Sequence, residues 1–250
     1  DKSNMIKIKK NVLKSMISQS IFAVSENELK PVHTGTKFIA ENGVLQLVSV
    51  DGFRLAIRRE SIETLDPEDK FSFIVPGSAL KEVERILDEQ DTEIALYPDK
   101  KFILFELGDI LVVTRLLEGE FLDYKKAIPE GETFDYTADV KELTQSVERA
   151  SLIISERLKT PIRCFFKENI VEISSITAQG RAYDECKIEG SCPGIEIGFN
   201  YRYVLDALRA CADDKIVLHV KGSLAPLVMT PEKGDKFLYL ILPVRLRAGE

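Results

Sequence analysis

The sequence predicts an α+β fold of two similar domains, each a duplicated strand-helix-three-strand unit with antiparallel sheets and two helices. Three observations predict it. Ser25-Glu26 and Lys30-Pro31-Val32 recur 130 residues later as Ser155-Glu156 and Thr160-Pro161-Ile162, each time after an apolar helical run. Stretches with a 3.6-residue apolar period alternate with short runs bounded by turn pairs. The chain has 250 residues, 44% of them hydrophobic, with only 14 Gly and 10 Pro. That is enough chain for two cores, and it excludes collagen-like, low-complexity and largely disordered classes.

In the first domain, Asn11 is placed to cap a helix whose apolar positions are Val12, Met16, Ile17, Ile21 and Val24. Strands follow around the Asn42-Gly43 pair, at Leu45 to Val50 and from Leu55 onward; Asn-Gly is a strong hairpin signal. A second helix begins after Pro76-Gly77 and buries Leu80, Val83 and Leu87. Strands near 93–97, 102–107 and 110–115 come next, turning at Asp99-Lys100 and Gly108-Asp109. The repeat continues. Leu13, Ile17 and Val24 correspond to Leu143, Val147 and Ile154; Leu45, Leu47 and Ser49 to Val171, Ile173 and Ser175; Phe73-Ile74-Val75-Pro76 to Ile197-Gly198-Phe199-Asn200. In the second domain, Asp139 and Glu142 form a capping-box pattern for a helix through Ile154, and Asn200 opens a helix through Cys211. The domains read as 1–129 and 130–250, joined near the polar Pro129-Glu130-Gly131-Glu132 stretch.

Lys and Arg number 34 against 41 Asp and Glu, a net charge of −7. Such a balance argues against gripping DNA or an anionic membrane by bulk charge, while leaving room for local basic strips. Cys164, Cys186, Cys192 and Cys211 include no C-x-x-C pair and lie far in sequence from His33, with His219 the other histidine, so neither a zinc site nor a disulfide framework is expected. No metal, cofactor or catalytic group is implied. Nothing resembles a signal peptide, and no apolar run approaches the roughly 20 residues that span a bilayer, so a cytoplasmic location is expected. The start at Asp1 rather than Met reads as a processed or excised piece.

The solvent faces of the four helices carry Lys9, Lys10 and Lys14; Lys81 and Arg85; Lys141 and Arg149; Arg202 and Arg209, interleaved with Glu82, Glu84, Glu142, Glu148 and Asp206. A solvated mixed-charge face is the plain reading of any one helix. A phosphate-facing surface requires all four on one side of the molecule, which periodicity leaves open.

Val50-Asp51-Gly52-Phe53-Arg54-Leu55-Ala56 stands at a strand-turn-strand junction where Asp-Gly sets a tight turn. A pocket around Asp51, Arg54 and Tyr124 is the site an enzyme reading would use, but no Ser-His pair, phosphate loop or metal-ligand set accompanies it. Glu118 to Tyr124 reads as a surface connection with two aromatics. The apolar run Phe237 to Leu246 begins as a last core strand, with no ladder partner implied past Pro243. Exposed apolar clusters of this kind usually mark partner sites.

These motifs carry a resemblance. Val50 to Ala56, the Gly119-x-Phe121-x-Asp123-Tyr124 connection, Ile197-Gly198-Phe199-Asn200 with Tyr203-Val204-Leu205-Asp206, and terminal Leu242-Pro243-Val244-Arg245-Leu246 together resemble the second and third domains of the bacterial DNA polymerase III β subunit family, the replicative sliding clamps, in order and spacing over essentially the whole chain. The resemblance implies a non-catalytic processivity factor. Subunits of three like domains pair into a homodimeric ring around duplex DNA. Polymerase, clamp loader and repair proteins dock on it through short linear peptides, and no membrane is involved. The helix Lys and Arg named above become candidates for the DNA side, with Asn27, Pro31 and Val32 on a DNA-touching loop from Asn27 to Val32. Phosphate contacts of this kind are sequence-independent and weaken with salt.

Carried over, the family's peptide groove between its second and third domains would be walled by His33, Val50, Gly52, Phe53, Arg54, Leu55, Leu122, Lys126 and Ala127 on one side. Tyr203, Leu224, Pro226, Leu240, Leu242, Pro243, Val244, Arg245 and Leu246 would form the other. Phe53 stands where the motif often has His and Leu122 where Pro is common, and Arg247 to Glu250 run past the usual end, all of which alter the groove. Leu152 and Ile153 fall at the implied subunit interface. Beside this reading stand a generic two-domain scaffold and the small-molecule enzyme.

Overall fold

A computed structural model describes residues 5–64, 70–155 and 160–246. The Arg247 to Glu250 extension and Glu156 of the repeat lie outside the described residues. The chain divides into two compact units, Asp1–Tyr124 and Lys125–Glu250; the polar turn around Pro129 lies just inside the second.

Unit 1 runs β1 (Ile6–Lys9), α1 (Lys10–Ser18), β2 (Gly35–Glu41), β3 (Val44–Val50), β4 (Arg54–Ser61), the short β5 (Glu63–Thr64), β6 (Phe71–Pro76), α2 (Gly77–Ile86), β7 (Glu93–Pro98), β8 (Phe102–Leu107) and β9 (Ile110–Arg115). The β2-β3-β4 and β7-β8-β9 meanders are antiparallel. Each borrows the other repeat's first strand: β6 pairs with β2, and β1 with β7. The exchange locks the two halves of the duplication together. Their shared core takes Leu13, Met16 and Ile17 from α1, Leu80 and Val83 from α2, and inward residues of both sheets such as Phe38, Leu47, Leu96 and Phe105.

Unit 2 repeats the plan with β10 (Phe134–Asp139), α3 (Val140–Ser151), β11 (Ile162–Lys167), β12 (Ile170–Thr177), β13 (Gly180–Lys187), β14 (Ile195–Phe199), α4 (Tyr201–Ala210), β15 (Lys215–Val220), β16 (Leu227–Pro231) and β17 (Phe237–Ile241). Here β14 joins β11 and β10 joins β15. The register makes the repeat exact to the residue: Lys37 faces Ile74 as Arg163 faces Gly198.

Local chemistry explains most element ends. Asn42 and Gly43 both hold positive φ, 53° and 71°, as a two-residue hairpin needs. Asp139 accepts from the Glu142 N–H at 2.8 Å, and Asn200 from the Arg202 N–H at 3.1 Å.

Three expectations need correction. Asn11 does not cap α1; Lys9 precedes the helix, and the first-turn N–H groups of Lys10 and Asn11 donate to the carbonyls of Thr92 and Gln90. The same helix stops at Ser18 instead of running to Val24, because the Ser20 hydroxyl takes the Met16 carbonyl at 2.8 Å and a 3-10 turn, Ile21–Ala23, follows. Likewise α3 ends at Ser151, where the Ser151 hydroxyl donates to the Glu148 carbonyl, and Ile154 lies beyond it.

Candidate functional site

In unit 1 the Val50–Leu55 turn is built by one carboxylate. Asp51 Oδ1 accepts the N–H groups of Phe53 and Arg54 at 2.9 and 3.0 Å, and Oδ2 takes Arg54 Nε at 2.9 Å. Gly52 supplies the positive φ, 92°, at the tip. The effect is to hold Phe53 out, 59% exposed, while Val50 and Leu55 face inward and are buried. Arg54 also lies over the Phe22 ring at 5.6 Å.

Also in unit 1, the connection after β9 folds back onto the 3-10 turn Pro31–Thr34. His33 meets Phe121 edge to face at 5.5 Å, Lys37 Nζ lies 5.6 Å from the same ring, and the Tyr124 hydroxyl accepts from Gln46 Nε2 at 2.6 Å. The two aromatics expected on the surface are therefore buried, because His33, Lys37 and Gln46 give them partners. Leu122, Lys126 and Ala127 remain exposed. Burial, and then the charge of Lys30, hold His33 below its ordinary pKa.

Asp51, Arg54 and Tyr124 do not form a chemical site. Both Asp51 oxygens are consumed by its own turn, and Tyr124 belongs to a separate network with Gln46 and Arg59. Burial pushes the thiols of Cys164 and Cys211 up to about 12, far from a reactive thiolate.

In unit 2 the terminal segment is seated. The Val244 N–H donates to the Gly198 carbonyl at 2.8 Å, an isolated antiparallel bridge onto β14. No ladder partner past Pro243 was implied by the sequence; the structure supplies one 46 residues earlier in the chain. Leu242 and Val244 are each 37% exposed and Leu224 more so, while Leu240, in β17, is buried. Tyr203 sits partly exposed on α4, and Arg245 is exposed.

Within each unit the two helices pack side by side. Their cations are mostly countered. Lys9, Lys10 and Lys14 pair with Asp91, Asp88 and Glu89 of one loop at 3.0, 3.4 and 2.8 Å. Arg85 pairs with Glu82, Arg149 with Asp184 and Arg209 with Glu148. Lys9 ends β1 and is not on the helix. Arg202 contacts the Tyr201 hydroxyl and ring. Lys81 and Lys141 are exposed and pair with no carboxylate among the described residues. The Asn27–Val32 loop is held by Asn27 Oδ1 accepting from the Leu29 N–H, and it presents an almost fully exposed Leu29 flanked by Glu28. Leu152, at the end of α3, is 80% exposed, with Ile153 partly so.

Sequence reasoning missed the acidic loop after α2 and the role of Gly198. The run Asp88-Glu89-Gln90-Asp91 was a readable signal for the first; a glycine inside a strand was the signal for the second.

A duplicated α+β unit with two helices on each core, a stapled Asp-Gly turn and a seated apolar terminal segment defines a clamp-type domain pair. The chain belongs to the DNA polymerase III beta subunit family: the model of its central domain matches residues 7–123 and that of its C-terminal domain residues 125–245. It is 31% identical over 248 residues to the beta sliding clamp of Staphylococcus aureus, covering 98% of this chain and 65% of that protein. Among solved structures, the DNA polymerase sliding clamp from Bacillus subtilis superposes with a TM-score of 0.92 at 29% identity, over 97% of this chain and 64% of that one. The DNA polymerase III beta subunit from Thermotoga maritima gives 0.89 at 27%, over 98% and 66%. The chain thus spans about 65% of the length of the curated relatives it matches. Among the described residues no helix is long and apolar enough to cross a membrane.

Proposed function

We propose that the chain is the partner-docking and DNA-facing part of a non-catalytic replication clamp that acts in the cytoplasm. In this reading, the clamp is a homodimeric ring around duplex DNA that tethers polymerase, loader and repair proteins. The two domains meet between Tyr124 and Glu132.

Each unit contributes side chains to peptide docking. Phe53 and Leu122, with His33, Arg54, Lys126 and Ala127, serve from the first part of the chain. Leu242, Val244, Tyr203, Leu224, Pro226 and Arg245 serve from the second. Val50, Leu55 and Leu240 act chiefly as support, since little of them reaches the surface, while the partly exposed Leu246 serves with Val244. The observation that carries the reading is the seated terminal segment, which holds apolar side chains in water on a fixed backbone. A rigid apolar edge of this sort suits short peptides with aliphatic anchors.

The helix cations, with Lys81 and Lys141 foremost, face phosphate, and Leu152 and Ile153 face the neighbouring subunit. Internal carboxylates keep the grip on DNA weak, which sliding requires.

Short peptides tiled across the organism's replicative polymerase, titrated against the chain and its Phe53→Ala and Val244→Ala variants, test this. At least one peptide should bind and lose about ten-fold in affinity with each variant. Binding that both variants leave unchanged would overturn the assignment.

A further inference from the structure

We propose that Gly198 is a positioning residue for partner docking: its missing side chain sets the depth at which Leu242–Leu246 lies on β14, and so the height at which Leu242 and Val244 stand. The inference rests on the peptide-docking reading above.

The requirement at Gly198 is for space. Its φ does not fall in the left-handed region that favours glycine, and it lies inside a regular strand paired with β11. A Cβ built there would stand 2.6 Å from the Val244 carbonyl oxygen, 2.6 Å from Leu246 Cδ2 and 3.0 Å from Leu246 Cγ. A leucine tip can rotate away. The Val244 oxygen is backbone, so relief requires the terminal segment itself to move.

The duplication supplies an internal control. The equivalent of Gly198 in unit 1 is Ile74, placed by register opposite Lys37 as Gly198 is opposite Arg163. There too the chain leaving the last strand returns to this residue: the Leu117 N–H donates to the Ile74 carbonyl at 2.9 Å, as Val244 does to Gly198 at 2.8 Å. The backbone return is therefore a property of the fold and tolerates a branched side chain. The two bonds are alike in length; what unit 2 adds is the approach of the Val244 oxygen and Leu246 Cδ2 to within 2.6 Å of the Cβ position at Gly198. In unit 1 that segment carries the buried Leu116 and continues into the connection; in unit 2 it carries the half-exposed Leu242 and Val244.

Gly198→Ala separates positioning from folding. The variant should unfold in the same cooperative manner as wild type, because the Gly198 carbonyl is taken by the Val244 N–H and the rest of the β11–β14 ladder is untouched. Amide exchange at Val244 should speed up about ten-fold as its bond to Gly198 is strained, with exchange in β11 unchanged. Affinity for the best polymerase-derived peptide should fall about ten-fold. With Leu242–Leu246 deleted, Gly198→Ala should have no further effect on the remaining affinity, since Gly198 acts only through that segment. Equal peptide affinity in wild type and Gly198→Ala, or an equal loss with and without the segment, would overturn the inference. If the wild type binds none of the peptides, the docking reading falls and this inference with it.

Discussion

The Arg209 guanidinium donates to the Glu148 carboxylate at 2.8 Å, joining α4 to α3. Both side chains are about half exposed, so the pair adds little to stability. Its consequence is electrostatic: a cation proposed to face phosphate already has a carboxylate beside it. Removing that carboxylate by Glu148→Gln should tighten binding of a short duplex at low salt, and Arg209→Glu should weaken it. The slope of log affinity against log salt should shrink by about 0.9 with the loss of one phosphate contact. Identical slopes in wild type and Arg209→Glu would remove Arg209 from the DNA side.

The Asp51 turn should matter through its backbone bonds. Asp51→Ala loses two N–H acceptors and the Arg54 pair, and should cost about 1–3 kcal/mol in denaturant unfolding. Asp51→Asn retains an Oδ1 acceptor and should cost less. Equal losses would show that the ion pair, and not the turn, sets the geometry.

Asp139→Ala should destabilise by about 1 kcal/mol through the lost cap on α3, with amide exchange faster in α3 and unchanged in α1. The helix α1 is capped by the carbonyls of Thr92 and Gln90, so Asn11→Ala should not cost a cap there.

His33 carries a pH signature. Burial holds its folded pKa below the ordinary 6.5, so the fold favours the neutral ring. Its contribution to stability is complete above about pH 6.5 and is lost as pH falls through the lower folded value. The stability difference between wild type and His33→Gln should therefore shrink between pH 8 and pH 5. Parallel pH profiles would contradict it.

What could be read in the sequence was local. The Asn42-Gly43 hairpin, the Asp139 and Asn200 caps and the strands of both meanders follow from residues within a few positions of one another, and the 130-residue recurrence carried the two-unit plan. What was missed depends on distant partners. The start of α1 is capped by carbonyls about 80 residues away, and Phe121 and Tyr124 are buried by His33 and Gln46. The bridge from Val244 to Gly198 likewise joins segments that no periodicity connects.

The most direct test of the docking account is competition. The 250-residue chain, added to primer extension by the organism's polymerase with a full-length beta sliding clamp of the family, should suppress long products by occupying the polymerase's docking peptide, and Val244→Ala should relieve the suppression. Without the full-length clamp, the chain should not lengthen products. Long products that persist at saturating chain, or that the chain supports by itself, would contradict the account.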